Sequence, residues 1–579
     1  MKIVIRMVVY LFFLIISMSL VSCSDDEGSI KTGTVTTVDT TGDTADTTSP
    51  QAPTVSTPSI SSLTSSSLTL EWNAATDETT SESNLTYLAY QSATDNIDTV
   101  DNIAANGTAI GTYQANTLTT NASSLSSTTK YYFNVIAQDE AGNKTAYTAT
   151  STATIAVGSL DTDFSEDGVA TINDIPGAGD NNELAYGVIV DTSDRTVVVG
   201  YANNGSNDDL AVLRYEKHGT LDSTFGTNGK VVIDNISGVV AIDRSIAIAA
   251  DSNGKLLITG YCNSVVTPRV FAIRLNTDGS LDGTFGTGGK YVSDNTYTGI
   301  TREIGYAITV DGDGNVLVAG YGYNGTNNVM LLLRLTEDGA LDSSFGSLGV
   351  VTSDGLVAGS GSDVGYGIIV DDSNRILVVG SSYNGSNEDM AIWRFNSDGS
   401  PDDTFGNNGL VNHHGAAGGN GSDYGTAITI DSNNRILVTG YSLNGTYDMV
   451  IWRYDSSGNL DTDFNSSGVV SHASAAGFDG FDRGNAITTD AAGNIIVAGY
   501  SENGTDEDMV VWRYTDGGAL DTTFAEGVGF MVQNDSGGGT GTLNDKAAGV
   551  AVTSENRIAA AGYTWGASNT YDFAVWMIE

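Results

Sequence analysis

Histidine and cysteine, which often bind transition metals or act in nucleophilic catalysis, are rare in this sequence. The 579 residues include only four histidines and two cysteines, and no cysteine lies near a histidine in sequence. Zinc therefore has few candidate ligands. The sequence also lacks a Ser-His-Asp spacing and a nucleophile elbow. We predict no catalytic residue, no metal and no cofactor; the histidines are His218, His413, His414 and His472.

Aspartate recurs at predicted turns between strands, where it could be taken for a calcium ligand. The segment 311–315, Asp-Gly-Asp-Gly-Asn, superficially resembles a calcium loop. No bidentate glutamate follows at the spacing that an EF-hand loop requires. Asx-turns, in which the carboxylate caps nearby backbone amides, explain the pattern better. The repeated residues are Asp191, Asp251, Asp311, Asp371, Asp431 and Asp490.

Arginine recurs at the end of another predicted strand, a few residues before the aspartate of a Leu-Asp-x-x-Phe motif. Six identical anion sites would be unusual for a ligand-binding protein. We therefore predict structural bonds from each arginine to a carboxylate or a carbonyl, which would fix the loop between repeats. The residues are Arg214, Arg274, Arg334, Arg394, Arg453 and Arg513.

The repeats differ most in the connection that follows their opening strand, as in residues 412–423, 471–482 and 533–546. Variable loops on a rigid scaffold can present binding groups, but drifting surface loops without a ligand give the same pattern. Both interpretations stay open. The candidate ligand-binding residues in these connections are His413, His414, His472, Phe478 and Phe481.

Residues 157–579 repeat one unit seven times. The phenylalanines of the Leu-Asp-x-x-Phe motif are 61, 60, 60, 60, 59 and 60 residues apart. A glycine that ends an Ile-Leu-Val-x-Gly run also occurs seven times. A fixed period of this size indicates one repeated supersecondary unit, as in propellers or solenoids. The phenylalanines are Phe164, Phe225, Phe285, Phe345, Phe405, Phe464 and Phe524; the glycines are Gly200, Gly260, Gly320, Gly380, Gly440, Gly499 and Gly562.

Each unit of about 60 residues carries signals for four short strands. In one copy, two apolar runs flank a tight turn, and Asn444-Gly445 marks a hairpin before a third strand. The continuous apolar run at 436–438 fits a strand that is covered on both faces. These signals predict an all-β fold, a seven-bladed β-propeller. We expect Val169 to Ile172 to pair with the final strand and close the ring.

The units resemble the delta-60 repeat, a bacterial β-propeller repeat family without an assigned biochemical function. The resemblance covers residues 159–579. Three positions depart from the pattern: Pro401 replaces leucine, Thr553 replaces the turn aspartate, and Met577 stands where the other copies have arginine. These departures put individual turns in doubt.

A smaller domain is predicted over residues 53–156. Short alternating runs around Trp72 and Tyr87 indicate half-buried strands. The segment 125–137 resembles the fibronectin type III pattern, with Tyr131 at the tyrosine-corner position and Trp72 at the core tryptophan position. We interpret this β-sandwich as a spacer.

The N-terminus resembles that of a bacterial lipoprotein. Lys2 and Arg6 precede a short apolar run, which predicts a signal peptide over residues 1–22. Residues 20–23, Leu-Val-Ser-Cys, resemble a lipobox, which implies cleavage before Cys23 and its acylation. Outer-membrane sorting is favoured because no aspartate directly follows Cys23. Residues 23–52 contain almost no large apolar side chain and predict a disordered tether. The other cysteine, Cys262, is interpreted as a buried, inert thiol.

A net charge of −46 disfavours nucleic acid as a partner and limits membrane contact to the lipid anchor. The leading hypothesis is a non-enzymatic outer-membrane lipoprotein whose propeller binds a protein or glycan; surface exposure of this lipoprotein is a further hypothesis. Two alternatives stay open: a carbohydrate-active enzyme with its site in the propeller funnel, and a structural scaffold of an envelope assembly.

Overall fold

The computed structural model describes residues 46–175, 181–239, 241–263, 267–294, 299–356, 361–538 and 543–579. The predicted signal peptide, Cys23 and most of the predicted tether lie outside these residues. Within the described ranges, no helix is long and apolar enough to cross a membrane. Almost all regular structure is β, with one short helix, Val100–Asn106, and a single 3₁₀ turn, Ala525–Gly527.

The first β-domain packs two sheets against each other. Trp72, Tyr87 and Phe133 are buried in its core, and the backbone amide of Ala75 donates to the Tyr87 hydroxyl at 3.0 Å. The first sheet contains Ser59–Ser61, Leu68–Glu71 and Thr119–Ala122; the second contains Thr108–Ala115, Thr86–Ser92, Lys130–Gln138, Lys144–Ala146 and Thr150–Ala153.

Seven antiparallel sheets of four strands follow, and we number them in chain order. From first to fourth strand they are: sheet 1, Glu183–Val190, Thr196–Asn203, Asp208–Tyr215, Lys230–Ile233; sheet 2, Ile242–Ala250, Leu256–Asn263, Pro268–Leu275, Lys290–Val292; sheet 3, Glu303–Val310, Val316–Tyr323, Asn328–Leu335, Val350–Ser353; sheet 4, Asp363–Val370, Ile376–Tyr383, Glu388–Phe395, Leu410–His413; sheet 5, Asp423–Ile430, Ile436–Asn444, Thr446–Tyr454, Val469–His472; sheet 6, Asp482–Thr489, Ile495–Glu502, Glu507–Tyr514, Phe530–Gln533; sheet 7, Asp545–Val552, Ile558–Trp565, Tyr571–Ile578, Val169–Ile172.

The second and third strands of each sheet are covered on both faces by neighbouring sheets. The third strand of sheet 1, Asp208–Tyr215, is buried along its whole length. Apolar residues of sheets 1 and 2 form one shared core around Phe225. The continuous apolar runs of the sequence thus reflect burial on both faces, as predicted for residues 436–438.

Neighbouring sheets are joined by the repeated arginine. Arg394 Nε donates to Asp402 Oδ2 at 2.8 Å, and its Nη1 donates to the carbonyl of Ser456 in the next sheet. The same guanidinium lies 4.3 Å from the ring centroid of Phe405, which is fully buried between sheets 4 and 5. All six repeated arginines pair with the aspartate eight residues later, so the predicted structural role is confirmed.

The strand Val169–Ile172 pairs with Tyr571–Ile578, as the sequence predicted. The first strand of sheet 1 also contacts the first strands of sheets 2 and 7, so the sheets form a closed ring. In sheet 7, Met577 stands at the position of the repeated arginine. Arg557 makes the aspartate contact instead: it donates to Asp161 at 2.6 Å and so joins the two ends of the array.

The repeated turn aspartates cap backbone amides. Asp191 Oδ1 accepts from Ser193 N at 2.9 Å and from Arg195 N at 3.0 Å. Equivalent pairs of bonds occur at the other five turns, so the Asx-turn prediction is confirmed.

We expect Arg394→Met to lower the free energy of unfolding by about 3 kcal/mol, because it removes the nearest cation from the buried carboxylate of Asp402 and leaves only Arg375 Nη1, 3.6 Å away. Chemical denaturation of the whole protein measures this loss. The double variant Arg394→Met, Asp402→Asn should recover a large part of it. A single-variant loss below about 1 kcal/mol, typical of an exposed ion pair, would contradict this role.

Candidate functional site

Two of the three candidate histidines are packed inside the sheets. His413 lies edge-on to Trp452 at 6.3 Å, and His472 contacts Trp512 and Phe530 with centroid distances of 6.2 and 5.0 Å. Burial lowers the pKa of both imidazoles, so they are neutral near pH 7. These contacts give both residues a packing role.

His414 differs from its neighbour because its ring is partly exposed and hydrogen-bonded at both nitrogens. Nε2 lies 2.7 Å from Asn420 Oδ1, and Nδ1 lies 3.0 Å from Asp389 Oδ1. The hydrogen bond with Asn420, together with Asp389, raises the pKa of His414. This residue links the connection after the fourth strand to the third strand.

Phe478 and Phe481 are both exposed, at 48% and 42%. The Phe481 ring lies 5.8 Å from Tyr447. Tyr447 in turn contacts Tyr441 and the Arg483 guanidinium. Of the candidates predicted from sequence, Phe481 thus borders a larger aromatic cluster, which leads to the centre of the ring.

A channel with a cavity of about 800 Å³ runs between the first strands of the seven sheets. Each first strand has a β-bulge at the same position, and the bulged residue lines the cavity. The seven bulged residues are Tyr186, Ile246, Tyr306, Tyr366, Thr426, Asn485 and Ala548.

The repeated glycine of the second strand is required by this bulge. A Cβ atom at Gly380 would overlap the carbonyl oxygen of Val364 on the first strand. The other six glycines of the series meet the same carbonyl in their own sheets. The glycine marker in the sequence is therefore the signature of the bulge that points one side chain into the channel.

Three cations lie around the channel at the residue two positions before a bulge, and we call Arg244, Arg483 and Lys546 the basic mouth. Arg244 pairs with Asp208 at 2.6 Å. Lys546 pairs with Glu507 at 2.5 Å. Both also lie over tyrosine rings, Arg244 at 4.4 Å from Tyr201 and Lys546 at 4.2 Å from Tyr500.

Arg483 has a different environment. Its guanidinium lies 4.4, 4.9 and 5.9 Å from the centroids of Tyr441, Tyr447 and Tyr500. Among the described residues, no carboxylate lies within 4.0 Å of it, and its buried Nε has no hydrogen-bond partner. A cation held by aromatic faces in this way keeps its charge available to a ligand.

The chemical groups around the channel donate hydrogen bonds and provide aromatic faces. Burial raises the pKa values of Tyr186, Tyr306 and Tyr366, so their hydroxyls stay protonated at neutral pH. Within the described part of the chain, no aspartate, glutamate or histidine lines the cavity. The arrangement suits recognition of a polar or anionic ligand.

The bulged residues that line the channel and the basic mouth were not predicted from the sequence. The sequence does contain a signal for the bulges: each copy has one variable residue between two small ones, such as Ala185-Tyr186-Gly187 and Gly365-Tyr366-Gly367.

The thiol of Cys262 is buried, as predicted, and burial raises its pKa to about 12.

We predict opposite titration of the two adjacent histidines. A raised pKa in the folded state means that His414 stabilises the fold below about pH 6.5 and loses this contribution as pH rises through its folded pKa. His413, with a lowered pKa, costs stability as pH falls. NMR titration should place His414 above 6.5 and His413 below it, with His414→Asn and His413→Asn assigning the signals; the reverse order would refute the assignment.

The chain is similar to several solved structures at low sequence identity and with low TM-scores. Sqt1 from Chaetomium thermophilum is 12% identical, with a TM-score of 0.35 over 71% of this chain and 100% of that chain. The Hadza microbial sialidase Hz136 is 9% identical, with a TM-score of 0.33 over 92% and 98%. The polysaccharide lyase Uly1 is 11% identical, with a TM-score of 0.39 over 68% and 89%. None of the curated proteins matches the chain.

One protein-family model, a β-propeller domain of unknown function (DUF5122), matches the repeats. The matched segments are residues 192–225, 252–285, 312–345, 373–405, 432–464 and 493–524. Each begins near the turn after the first strand and ends at the phenylalanine of the Leu-Asp-x-x-Phe motif. By these six segments, the chain carries the repeats of a β-propeller family.

Proposed function

We propose that this chain is a non-catalytic envelope lipoprotein whose seven-bladed propeller binds an acidic glycan at its basic mouth. The observation that carries the binding function is Arg483, a cation surrounded by tyrosine rings at the channel and without a carboxylate partner among the described residues. A ligand carboxylate could form a bidentate pair with this guanidinium.

The blade number is supported by how the seventh unit is divided. Its turn and second strand lie near residues 553–565, whereas its Leu-Asp-x-x-Phe motif lies at residues 160–164. The family model covers a turn and the motif that follows it as one continuous segment, so it can match only six of the seven copies. Seven four-stranded sheets and six family matches are compatible with one seven-bladed ring.

The preceding sandwich has two features expected of a fibronectin type III domain. Ser126 N donates to the hydroxyl of Tyr131 at 3.0 Å, the bond that defines a tyrosine corner. Trp72 is buried beside Tyr87 at a ring distance of 6.3 Å. We propose that this domain is a spacer between an acylated Cys23 and the propeller, with the protein anchored in the outer membrane.

A glycan is favoured over a folded protein because the site is concave. The cavity of about 800 Å³ lies within the range of small-ligand sites, whereas protein interfaces are broad. Protonated tyrosine hydroxyls can bond sugar hydroxyls, and their rings can stack on sugar faces. An acidic sugar is favoured because three of the 24 lysines and arginines gather at this one mouth.

A binding function is favoured over hydrolysis by the chemistry of the lining. Glycoside hydrolysis commonly uses two carboxyl groups about 5–10 Å apart. Among the described residues, the cavity wall offers none, and its tyrosines have raised pKa values that make them poor bases near pH 7.

We expect Arg483→Ala to weaken binding of a uronic-acid oligosaccharide by about 10- to 100-fold, since a hydrogen bond to a charged group contributes about 1.5–3 kcal/mol. Isothermal titration calorimetry with a galacturonic acid trisaccharide and its carboxyl-reduced form measures this effect. The reduced, neutral sugar should bind the unaltered protein as weakly as the acidic sugar binds the variant.

Arg302→Ala is the matched control. Arg302 also lies over a tyrosine, 4.1 Å from Tyr323, but it does not line the channel. Its replacement should leave the dissociation constant unchanged. Equal losses in the two variants, or no preference for acidic over neutral sugars in a panel of oligosaccharides, would reject the proposed site.

A further inference from the structure

A buried acidic residue stands at the start of the first strand in every sheet. All seven are 0% exposed, and the first strand that holds each one contacts strands of the sheet that precedes it in the ring. Two positions of that preceding sheet lie nearby: a residue near the start of its third strand, and the residue after its fourth strand. The seven acids are Glu183, Asp243, Glu303, Asp363, Asp423, Asp482 and Asp545.

Between sheets 1 and 2, these three positions are all aspartates. Asp209 lies on the third strand of sheet 1, Asp234 follows its fourth strand, and Asp243 lies on the first strand of sheet 2. One carboxylate oxygen from each lies within 4.8 Å of the others. Asp209 and Asp243 are buried, and burial raises the pKa of each to about 6.

One oxygen of this cluster lacks a hydrogen bond. Asp243 Oδ2 accepts from Ile236 N at 3.1 Å, whereas Oδ1 is buried without a partner. An unpaired oxygen on a carboxylate at 0% exposure, in a cluster with two further carboxylates, is costly unless a cation is bound.

Two of the equivalent interfaces contain a basic side chain at one of these positions. Between sheets 4 and 5, His414 replaces the second aspartate, and its Nδ1 lies 3.0 Å from Asp389 and 3.9 Å from Asp423. Between sheets 2 and 3, Arg269 occupies the position of Asp209, and its charge lowers the pKa of Glu303 against the effect of burial. The interface between sheets 1 and 2 has a third acid where these have a basic side chain.

We propose that Asp209, Asp234 and Asp243 bind one calcium ion between sheets 1 and 2. The site offers only oxygen ligands, which suits calcium or magnesium rather than a softer metal. Calcium–oxygen distances of about 2.3–2.6 Å allow ligand oxygens up to about 5 Å apart, and calcium accepts the irregular geometry of three separate elements. Exposed Asp234 leaves room for water ligands.

The prediction of no metal site considered the turn aspartates and the histidines. None of these three residues belongs to either group. They lie on three different segments, 25 and 9 residues apart in sequence, and the packing of two sheets brings their carboxylates together. The proposal does not depend on glycan binding, because calcium can be titrated alone.

Calcium titration of the full chain after chelator treatment tests the site, with 150 mM NaCl present to suppress weak binding to the acidic surface. We expect one ion per chain, with a dissociation constant of about 10⁻⁴–10⁻³ M as in extracellular modules, and a higher Tm with calcium. Asp234→Asn should weaken binding at least tenfold and abolish the Tm shift. This variant should fold, because Asn173 and Asn534 occupy the equivalent position after the fourth strands of sheets 7 and 6.

Two further variants make the test specific. Asp389→Asn, at the histidine-containing interface, should leave calcium binding unchanged. His414→Asp should raise the stoichiometry from one ion to two, because it reproduces the three-aspartate cluster between sheets 4 and 5. Absence of binding to the unaltered protein, unchanged binding by Asp234→Asn, or magnesium binding as tight as calcium binding would overturn the proposal.

Discussion

The packing of one four-stranded sheet against the next is the interaction on which this molecule depends. The second and third strands are apolar on both faces, so no sheet can bury its surface alone. Phe405 and its equivalents fill the gap between adjacent sheets, and the arginine above each ring joins the aspartate of its own sheet to a carbonyl of the next. The first strands of sheets 1 and 7 are in contact, so every sheet is covered by neighbouring sheets in one closed ring.

Closure of the ring is accompanied by a local irregularity in the first strands. The seven first strands surround one channel, and each contains one extra residue as a bulge that lines it. The bulge brings the carbonyl of Val364 so close to the next strand that only glycine fits at position 380. The repeated glycine is therefore a packing requirement, and the residue that the bulge presents is free to differ from copy to copy.

The repeats, the strand order, the closing strand and the roles of the repeated arginines and aspartates could be predicted from the sequence. Each depends on residues that recur at a fixed period, and seven copies average out the ambiguity of any single one. The residues of the basic mouth and of the acidic cluster could not, because Arg483 and Tyr441 come from different sheets, as do Asp234 and Asp243. Phe481 contacts Tyr447 at the edge of the aromatic cluster around Arg483, whereas His413 and His472 pack edge-on against buried tryptophans.

Divergence within a uniform framework also explains how a chain with a net charge of −46 can hold local positive charge. The framework fixes the backbone at the position two residues before each bulge, so Leu184, Ile304 and Val364 occupy the same place as Arg244, Arg483 and Lys546. A charge change there leaves the repeated bonds from arginine to aspartate and to the next sheet intact. The same freedom lets one interface use His414 as its cation and another use a third carboxylate. Selection can thus alter a binding group at a single sheet while these repeated bonds remain, and the non-repeating residues at repeating positions are where this protein's chemistry lies.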